Sequence, residues 1–354
     1  MTVMLNEISN EISNEMNTLI DDRYQLCKYL YLIKMEIDKR NKIKRKHGET
    51  NLVYMSIFAK PCHIKKLFGP FLKTPQYTEI ATLKNHTGWV SGLTLHENKL
   101  YYGSRDRTIR IWNTETYKEM ATLRGHTGSV QCLTLHENKI YTGGYDESIR
   151  IWSTETYKQI AVLEGHGWRV RCLTIHDKIL YSGGDDNIIH GWSTETHEQI
   201  AYMRGHTGAV YCLTIHENKL YSGGADGTIC IWNIETHEEI ANLWAHTSRI
   251  NCIALHENKL YSGSNDNTIK IWNTETYELI AILEGHTGSV RCLTLHENKL
   301  YSGCNDETIR IWSTENHETI ATLRGHTYAV ICLTLHENKL YSGGGDGTIR
   351  VWKV

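Results

Sequence analysis

Histidine, aspartate and tryptophan recur through this 354-residue chain in a pattern that could indicate metal binding or acid–base catalysis. Three series, beginning at His86, Asp106 and Trp112, each have seven members 40 residues apart, and a second histidine series begins at His96. A step of 40 residues places one member in each structural unit, so the members of a series cannot converge on one metal ion. Phosphate-loop, GxSxG and HExxH motifs are absent. We therefore predict no metal, no cofactor and no enzymatic activity.

The same period predicts the elements that hold these side chains. Within one copy, residues 286–325, apolar residues alternate with a period of two in four short runs, which is typical of strands. Turn-forming segments such as Gly303–Asp306 separate the runs. One four-stranded sheet cannot bury both of its faces, so neighbouring copies must stack, and radial stacking closes a ring. The sequence predicts an all-β, seven-bladed β-propeller.

The order of residues within each copy resembles the WD40 repeat family over residues 77–354. In one copy the pattern is Gly285-His286, then Ser302, Asp306 and Trp312. The resemblance implies a buried network in which tryptophan binds a hydroxyl, the hydroxyl binds histidine, and histidine pairs with aspartate. We assign this structural network to His126, Thr142, Asp146, Trp152, His286, Ser302, Asp306 and Trp312.

The ends of the repeat array and two departures from the pattern carry further predictions. The last copy stops after its third strand, and residues 77–83 match the missing fourth strand, so an N-terminal strand should close the ring. Tyr102 replaces the network hydroxyl in the first copy, so the usual network cannot form there. Gly191 replaces isoleucine in the third copy and should leave a space where a branched side chain would pack.

The residues before the propeller differ in composition from it. Residues 50–76 contain all three prolines and all three phenylalanines and are interpreted as an irregular linker. Residues 1–49 are interpreted as a helical segment, because Leu5, Ile12 and Leu19 begin a heptad series. Residues 4–46 could form a coiled-coil homodimer, or a helix that docks on the propeller or on a partner.

Composition restricts location and partners. The ten cysteines form no CxxC pair and are interpreted as small buried side chains in a reducing compartment, which favours an intracellular, cytoplasmic protein. The basic run Lys39–Lys46 could act as a nuclear import signal or as a solvated helix end. A net charge of −2 and the lack of an 18-residue apolar stretch argue against nucleic-acid and membrane partners.

Loop positions that vary between the copies mark a candidate binding surface. Alternating turns place these loops at one end of the propeller, the top face, and the WD40 resemblance implies that they surround a central channel and contact peptides. The candidate residues are Trp89, Arg105, Tyr145, Arg169, Arg171, Tyr211, Arg249 and Arg291. Arginine and aromatic side chains suit binding hot spots, and arginine pairs with acidic or phosphorylated peptides. Asp185 and Glu147 should interrupt this basic surface.

Two functions remain open, and neither involves a small-molecule substrate. The first is a protein–protein interaction scaffold or adaptor that binds a peptide or domain on the top face, as the heptads resemble those of coiled-coil WD40 adaptors. The second is a substrate receptor of a cullin-type ubiquitin ligase, because the regular repeats resemble those of F-box/WD40 receptors. An F-box would have to be degenerate, since residues 4–46 contain no Leu-Pro opening.

Overall fold

The computed structural model describes residues 77–84 and 86–354, which form seven four-stranded antiparallel sheets. The prediction of an all-β, seven-bladed propeller is confirmed. The predicted helical segment 1–49, its coiled-coil and basic features, and the linker 50–76 lie outside the described residues. Within the described ranges, no helix is long and apolar enough to cross a membrane.

Six blades consist of four strands that are consecutive in the chain, and the first strand of each lies next to the channel. Blade 1 contains β2 (Val90–His96), β3 (Lys99–Ser104), β4 (Thr108–Asn113) and β5 (Glu119–Arg124). Blade 2 contains β6 (Val130–His136), β7 (Lys139–Gly144), β8 (Ile149–Ser153) and β9 (Gln159–Leu163). Blade 3 contains β10 (Val170–His176), β11 (Ile179–Gly184), β12 (Ile188–Ser193) and β13 (Gln199–Arg204).

The remaining blades repeat this arrangement. Blade 4 contains β14 (Val210–His216), β15 (Lys219–Gly224), β16 (Thr228–Asn233) and β17 (Glu239–Trp244). Blade 5 contains β18 (Ile250–His256), β19 (Lys259–Ser264), β20 (Ile269–Asn273) and β21 (Leu279–Leu283). Blade 6 contains β22 (Val290–His296), β23 (Lys299–Cys304), β24 (Thr308–Ser313) and β25 (Thr319–Arg324). Blade 7 contains β26 (Val330–His336), β27 (Lys339–Gly344), β28 (Thr348–Lys353) and β1 (Thr78–Lys84).

The N-terminal strand closes the ring, as predicted. Strand β1 pairs antiparallel with β28, in a register that joins Thr78 to Lys353 and Leu83 to Ile349. Arg350 also donates a hydrogen bond to Glu79 across this pair. Closure by the two ends of the repeat array leaves no blade incomplete, because the last copy alone would lack its outer strand.

The core lies between blades rather than within them. In one cluster, Tyr301 and Ile311 of blade 6 pack with Val330, Leu340 and Trp352 of blade 7, and all five are buried. The alternation along each strand therefore buries both sheet faces against neighbours, which explains why one 40-residue unit needs the next.

The expected space at Gly191 is absent. A Cβ atom at Gly191 would stand 2.8 Å from the Cβ of Ala201, its direct partner on β13. Ala201 is buried. The prediction was wrong because the missing side chain allows the methyl group of the neighbouring strand to pack in its place.

Candidate protein-binding face

The structural network is present in six blades with the predicted partners. In blade 6, Trp312 Nε1 donates to Ser302 Oγ at 2.8 Å, and Ser302 Oγ lies 2.7 Å from His286 Nε2. His286 Nδ1 lies 2.8 Å from the Asp306 carboxylate. The equivalent distances in blade 2, which join Trp152, Thr142, His126 and Asp146, are 2.9, 2.8 and 2.9 Å. These four residue types hold the top loops of the six blades to their sheets.

Burial and hydrogen bonds act in opposite directions on the network carboxylates. Burial would raise the pKa of Asp306, but hydrogen bonds from His286 and Thr308 outweigh it and lower the pKa well below its usual range. The same direction holds for Asp146, where His126 is the main partner. Each aspartate is therefore ionised at neutral pH and committed to its turn.

Blade 1 does not form the usual network, as its sequence predicts, and keeps only the contact between His86 Nδ1 and the Asp106 carboxylate. Tyr102 fills the place of the hydroxyl and packs edge-on against His86, with ring centroids 4.9 Å apart. Within the described part of the chain, His86 Nε2 and Trp112 Nε1 have no hydrogen-bond partner. Blade 1 consequently retains two buried polar atoms that the other blades satisfy.

A β-bulge directs one residue of every inner strand toward the channel. In blade 3, Val170 pairs with Gly184 and Cys172 with Gly183, so Arg171 has no partner on β11. Bulges commonly redirect a side chain at a functional surface. The seven bulge residues line a channel of about 560 Å³, and they are Ser91, Gln131, Arg171, Tyr211, Asn251, Arg291 and Ile331.

The structure brings five of the predicted binding residues into one stacked series. Arg169 lies over the Tyr145 ring at 4.6 Å, and Arg171 lies between Tyr145 at 4.8 Å and Tyr211 at 5.1 Å. Arg249 covers the same Tyr211 ring at 4.2 Å. Blades 2 to 5 contribute these side chains, so the series follows the channel mouth across four blades. Each cation–π contact of this kind contributes about 0.5–1 kcal/mol at an exposed site and so favours the stacked arrangement.

Arg171 is not available to an acidic partner. Its Nε and Nη2 donate to the two oxygens of Asp185 at 2.7 and 2.8 Å, and Nη1 donates to the Tyr145 hydroxyl at 2.6 Å. Burial alone would lower the pKa of Arg171, but its hydrogen bonds to Asp185 and the neighbouring tyrosines raise it. The predicted interruption of the basic surface by Asp185 therefore takes the form of a bidentate ion pair.

Arg249 and Arg291 have the opposite environment. Each donates only its Nε, to the neutral amide oxygens of Asn251 at 2.9 Å and Asn305 at 2.7 Å respectively. Neither forms an ion pair with a described carboxylate, and the Nη groups of both have no hydrogen-bond partner among the described residues. Burial, followed by repulsion from Arg249, lowers the pKa of Arg291. Two uncompensated positive charges thus share one side of the channel mouth.

Trp89 and Arg105 form a separate cluster on the opposite part of the mouth. Arg105 lies 3.6 Å above the Trp89 ring, which also contacts the exposed Tyr328 with ring centroids 5.4 Å apart. Tyr328, Trp168 and Trp244 were not among the predicted binding residues, and the two tryptophans are 62% and 83% exposed respectively. For Tyr328 and Trp168 the sequence does contain a signal of an exposed aromatic residue on the top face, because both stand where four other copies have glycine.

The wall below the mouth carries cysteines that do not behave as nucleophiles. One cysteine per blade lines the channel in blades 2 to 7. Burial raises the pKa of the Cys132 and Cys212 thiols to about 12 and that of Cys172 well above its ordinary value. Thiols with such values stay protonated at neutral pH, so they provide packing rather than reactivity.

This fold and network define the chain as a seven-bladed propeller built from a repeated four-residue hydrogen-bond motif. The family model for the WD domain, G-beta repeat, matches seven segments that together span well over half of the sequence, and the chain belongs to the WD40 family. The matched segments are residues 77–113, 117–153, 157–193, 197–233, 237–273, 277–313 and 317–353. Propellers of this family typically act as non-enzymatic scaffolds that mediate protein–protein interaction.

A solved structure and the curated proteins provide two further comparisons. The chain is similar to the computationally designed Ika8 protein, solved as crystal packing No.1 in P63. The two share 26% sequence identity with a TM-score of 0.64, and the match covers 78% of this chain and 99% of that one. No curated protein matches the chain.

Proposed function

We propose that this protein is an interaction scaffold or adaptor whose top face binds an acidic or phosphorylated peptide. The observation that supports the proposal is the pair Arg249 and Arg291, whose Nη groups have no hydrogen-bond partner among the described residues, with Arg249 stacked on the Tyr211 ring. Aromatic side chains supply contact area, and arginine forms bidentate hydrogen bonds with carboxylates and phosphates. The partner's anionic group would bind between these two arginines, and its neighbouring apolar residue would contact Tyr211.

Charge distribution favours this side of the mouth over the others. Arg171 is neutralised by Asp185, and Arg105 and Arg169 are exposed, whereas Arg249 and Arg291 are partly buried. Partly buried charges are screened less by salt than exposed ones. Loss of one charge-assisted hydrogen bond costs about 1.5–3 kcal/mol, or roughly 10- to 100-fold in affinity.

The proposal can be tested with full-length protein immobilised and exposed to peptide pools that differ only in acidic or phosphorylated residues. We expect the Arg249→Ala/Arg291→Ala variant to lose binding by at least tenfold. Lys178→Ala is a suitable control, because Lys178 is an exposed cation in the first hairpin turn of blade 3. This turn is at the end of the blade opposite the top face, and Lys178 pairs there with Glu195. Equal binding by the double variant and the wild-type protein would refute the top-face site.

The alternative role as a ubiquitin-ligase substrate receptor concerns residues 1–49 instead. A pull-down from cell extract should compare the full chain with a variant lacking residues 1–49, and recovered proteins should be identified by mass spectrometry. Cullin-complex subunits lost on truncation would support the receptor. Recovery of untagged copies of the chain itself, without those subunits, would support the coiled-coil adaptor.

A further inference from the structure

Blade 3 contains a side-chain cluster that no other described blade has. His190 occupies a position that holds arginine in four other copies. Its Nε2 lies 3.1 Å from Asp186 Oδ2, and the same oxygen lies 2.7 Å from His166 Nδ1. The two imidazole side chains are only 2% and 1% exposed, and the carboxylate is 10% exposed. Three potential metal ligands therefore meet in a buried place.

Asp186 lacks hydrogen-bond donors that its counterparts have. In the six other blades, a serine or threonine two residues after the aspartate donates its hydroxyl to the carboxylate. Ile188 has no hydroxyl, and only its backbone N–H reaches Asp186, at 3.2 Å. In five other blades, the backbone N–H after the network histidine also donates to the carboxylate, but that of Gly167 does not. Among the described residues, Oδ1 of Asp186 therefore accepts one hydrogen bond, from Ile188, and the only partners of Oδ2 are the ring nitrogens of His166 and His190. A cation bound to Oδ2 and to both ring nitrogens would replace these two hydrogen bonds, with the ring protons moving to the other nitrogen of each imidazole.

We propose that His166 Nδ1, Asp186 Oδ2 and His190 Nε2 bind one divalent transition-metal ion, with Zn²⁺ as the best match. Two imidazoles and one carboxylate are a common zinc ligand set, and bonds of about 2.0–2.1 Å separate tetrahedral ligand atoms by roughly 3.3 Å. The three donor atoms already lie within 4.8 Å of one another. A small withdrawal of the carboxylate, which no hydroxyl restrains, makes room for the ion, and water completes the coordination.

Surrounding residues orient both imidazoles for this role. Ser182 Oγ lies 2.7 Å from His166 Nε2, which directs Nδ1 toward the cluster. His190 stacks on Trp192 at an interplanar angle of 13°, and Tyr202 packs edge-on against it. Contacts between the metal-binding side chains and the residues around them hold the ligands in the orientation that metal binding requires. Within the described residues, His190 makes one hydrogen bond and its Nδ1 makes none, an unusually sparse set for a buried imidazole.

An ion could enter from the top face. Gly167 is exposed, and a Cβ atom built there would meet nothing within 4 Å. The ion would join β12 to the loop that carries Trp168 and Arg169, two exposed side chains of the top face. Zinc binding would therefore order part of the proposed binding surface, although the metal site itself does not depend on that function.

Blade 6 offers an internal control. His286, Cys304 and Asp306 also lie close together. There, however, Asp306 keeps its donors from Thr308 and the backbone of residue 287, and Cys304 Sγ contacts the Gly288 carbonyl oxygen. We expect no ion in blade 6.

The test is zinc titration of the full-length, tag-free protein after chelator treatment, by calorimetry and by the absorption spectrum of bound Co²⁺. Wild-type protein should bind one more ion per chain than His190→Arg, which restores the residue found in four other blades. Cys304→Ser should match the wild type. Ile188→Thr, which restores a competing hydroxyl donor, should weaken zinc binding by about tenfold.

Equal zinc stoichiometry in the wild type and His190→Arg would overturn the proposal, as would loss of the ion in Cys304→Ser. His190→Gln provides the same comparison if the arginine variant does not fold. An intense tetrahedral Co²⁺ spectrum that is present in the wild type and missing in both His190 variants would establish the ligand. Peptide binding is measured separately, so failure of either proposal leaves the other testable.

Discussion

Removal of the Ser302 hydroxyl should lower the free energy of unfolding of the propeller, and the size of the loss follows from the two hydrogen bonds that this hydroxyl makes. Ser302 is completely buried, and its Oγ joins Trp312 Nε1 and His286 Nε2. Because His286 Nδ1 faces a carboxylate, Nδ1 carries the proton and Nε2 must accept one. Ser302→Ala would therefore leave one buried donor and one buried acceptor without partners. At about 1–3 kcal/mol for each, the free energy of unfolding should fall by about 2–6 kcal/mol.

Urea unfolding followed by tryptophan fluorescence measures this loss, and two further variants make the measurement specific. Ser313→Ala in the same blade removes a hydroxyl that accepts two exposed backbone N–H groups, so it should cost less than about 1 kcal/mol. Trp312→Phe removes the indole N–H that Ser302→Ala leaves unpaired. The double variant should therefore lose less unfolding free energy than the sum of the losses in the two single variants. If Ser302→Ala proves no more harmful than Ser313→Ala, the network does not stabilise the blade as argued.

Three other expectations follow from the structure. The network aspartates have a lower pKa in the folded protein than the value of about 3.9 in the unfolded chain, so they stabilise the fold at pH values above about 3.9. The free energy of unfolding should therefore fall as the pH is lowered through and below this value. An unfolding free energy that stays constant from about pH 6 to 3 would contradict their assigned role. Glu307, at φ +67°, occupies the turn position where Gly227 and Gly347 have φ values of +78° and +73°, so Glu307→Gly should raise stability by about 0.5–1 kcal/mol in thermal unfolding. Asp185→Asn should release Arg171 and tighten binding of an acidic peptide by up to about tenfold at low salt, as measured by fluorescence anisotropy, and unchanged binding would show that Arg171 lies outside the site.

The repeated residues were sufficient to predict the architecture and the network. The fourth strand of blade 7 could be found 270 residues away from β28, because residues 77–83 match the strand pattern of the other copies. The change in the blade 1 network could also be predicted from the sequence, since Tyr102 stands at the position where the other copies have serine or threonine. Such predictions succeed because each repeat encodes its own short-range pairing.

The wrong prediction at Gly191 and the unpredicted pairing of Arg171 have a common origin. Both depend on the distance between side chains of neighbouring strands or loops, and this distance cannot be predicted from the residue types alone. Ala201 packs where the missing side chain would be, and Asp185 neutralises an arginine that had been grouped with the peptide-binding residues. Likewise, the cluster around His190 becomes visible only when its imidazole is seen to turn toward Asp186.

The amino-acid sequence by itself determined the number of blades, the network within each blade, the closing strand and the face that varies. Tertiary structure decided which arginines are neutralised, which remain free, and which polar atoms meet across strands and blades. The physical reason is the range of the interactions. Pairing within a 40-residue unit is local and repeats identically, whereas Tyr145, Arg171, Tyr211 and Arg249 meet only because radial stacking brings four different blades to one channel mouth.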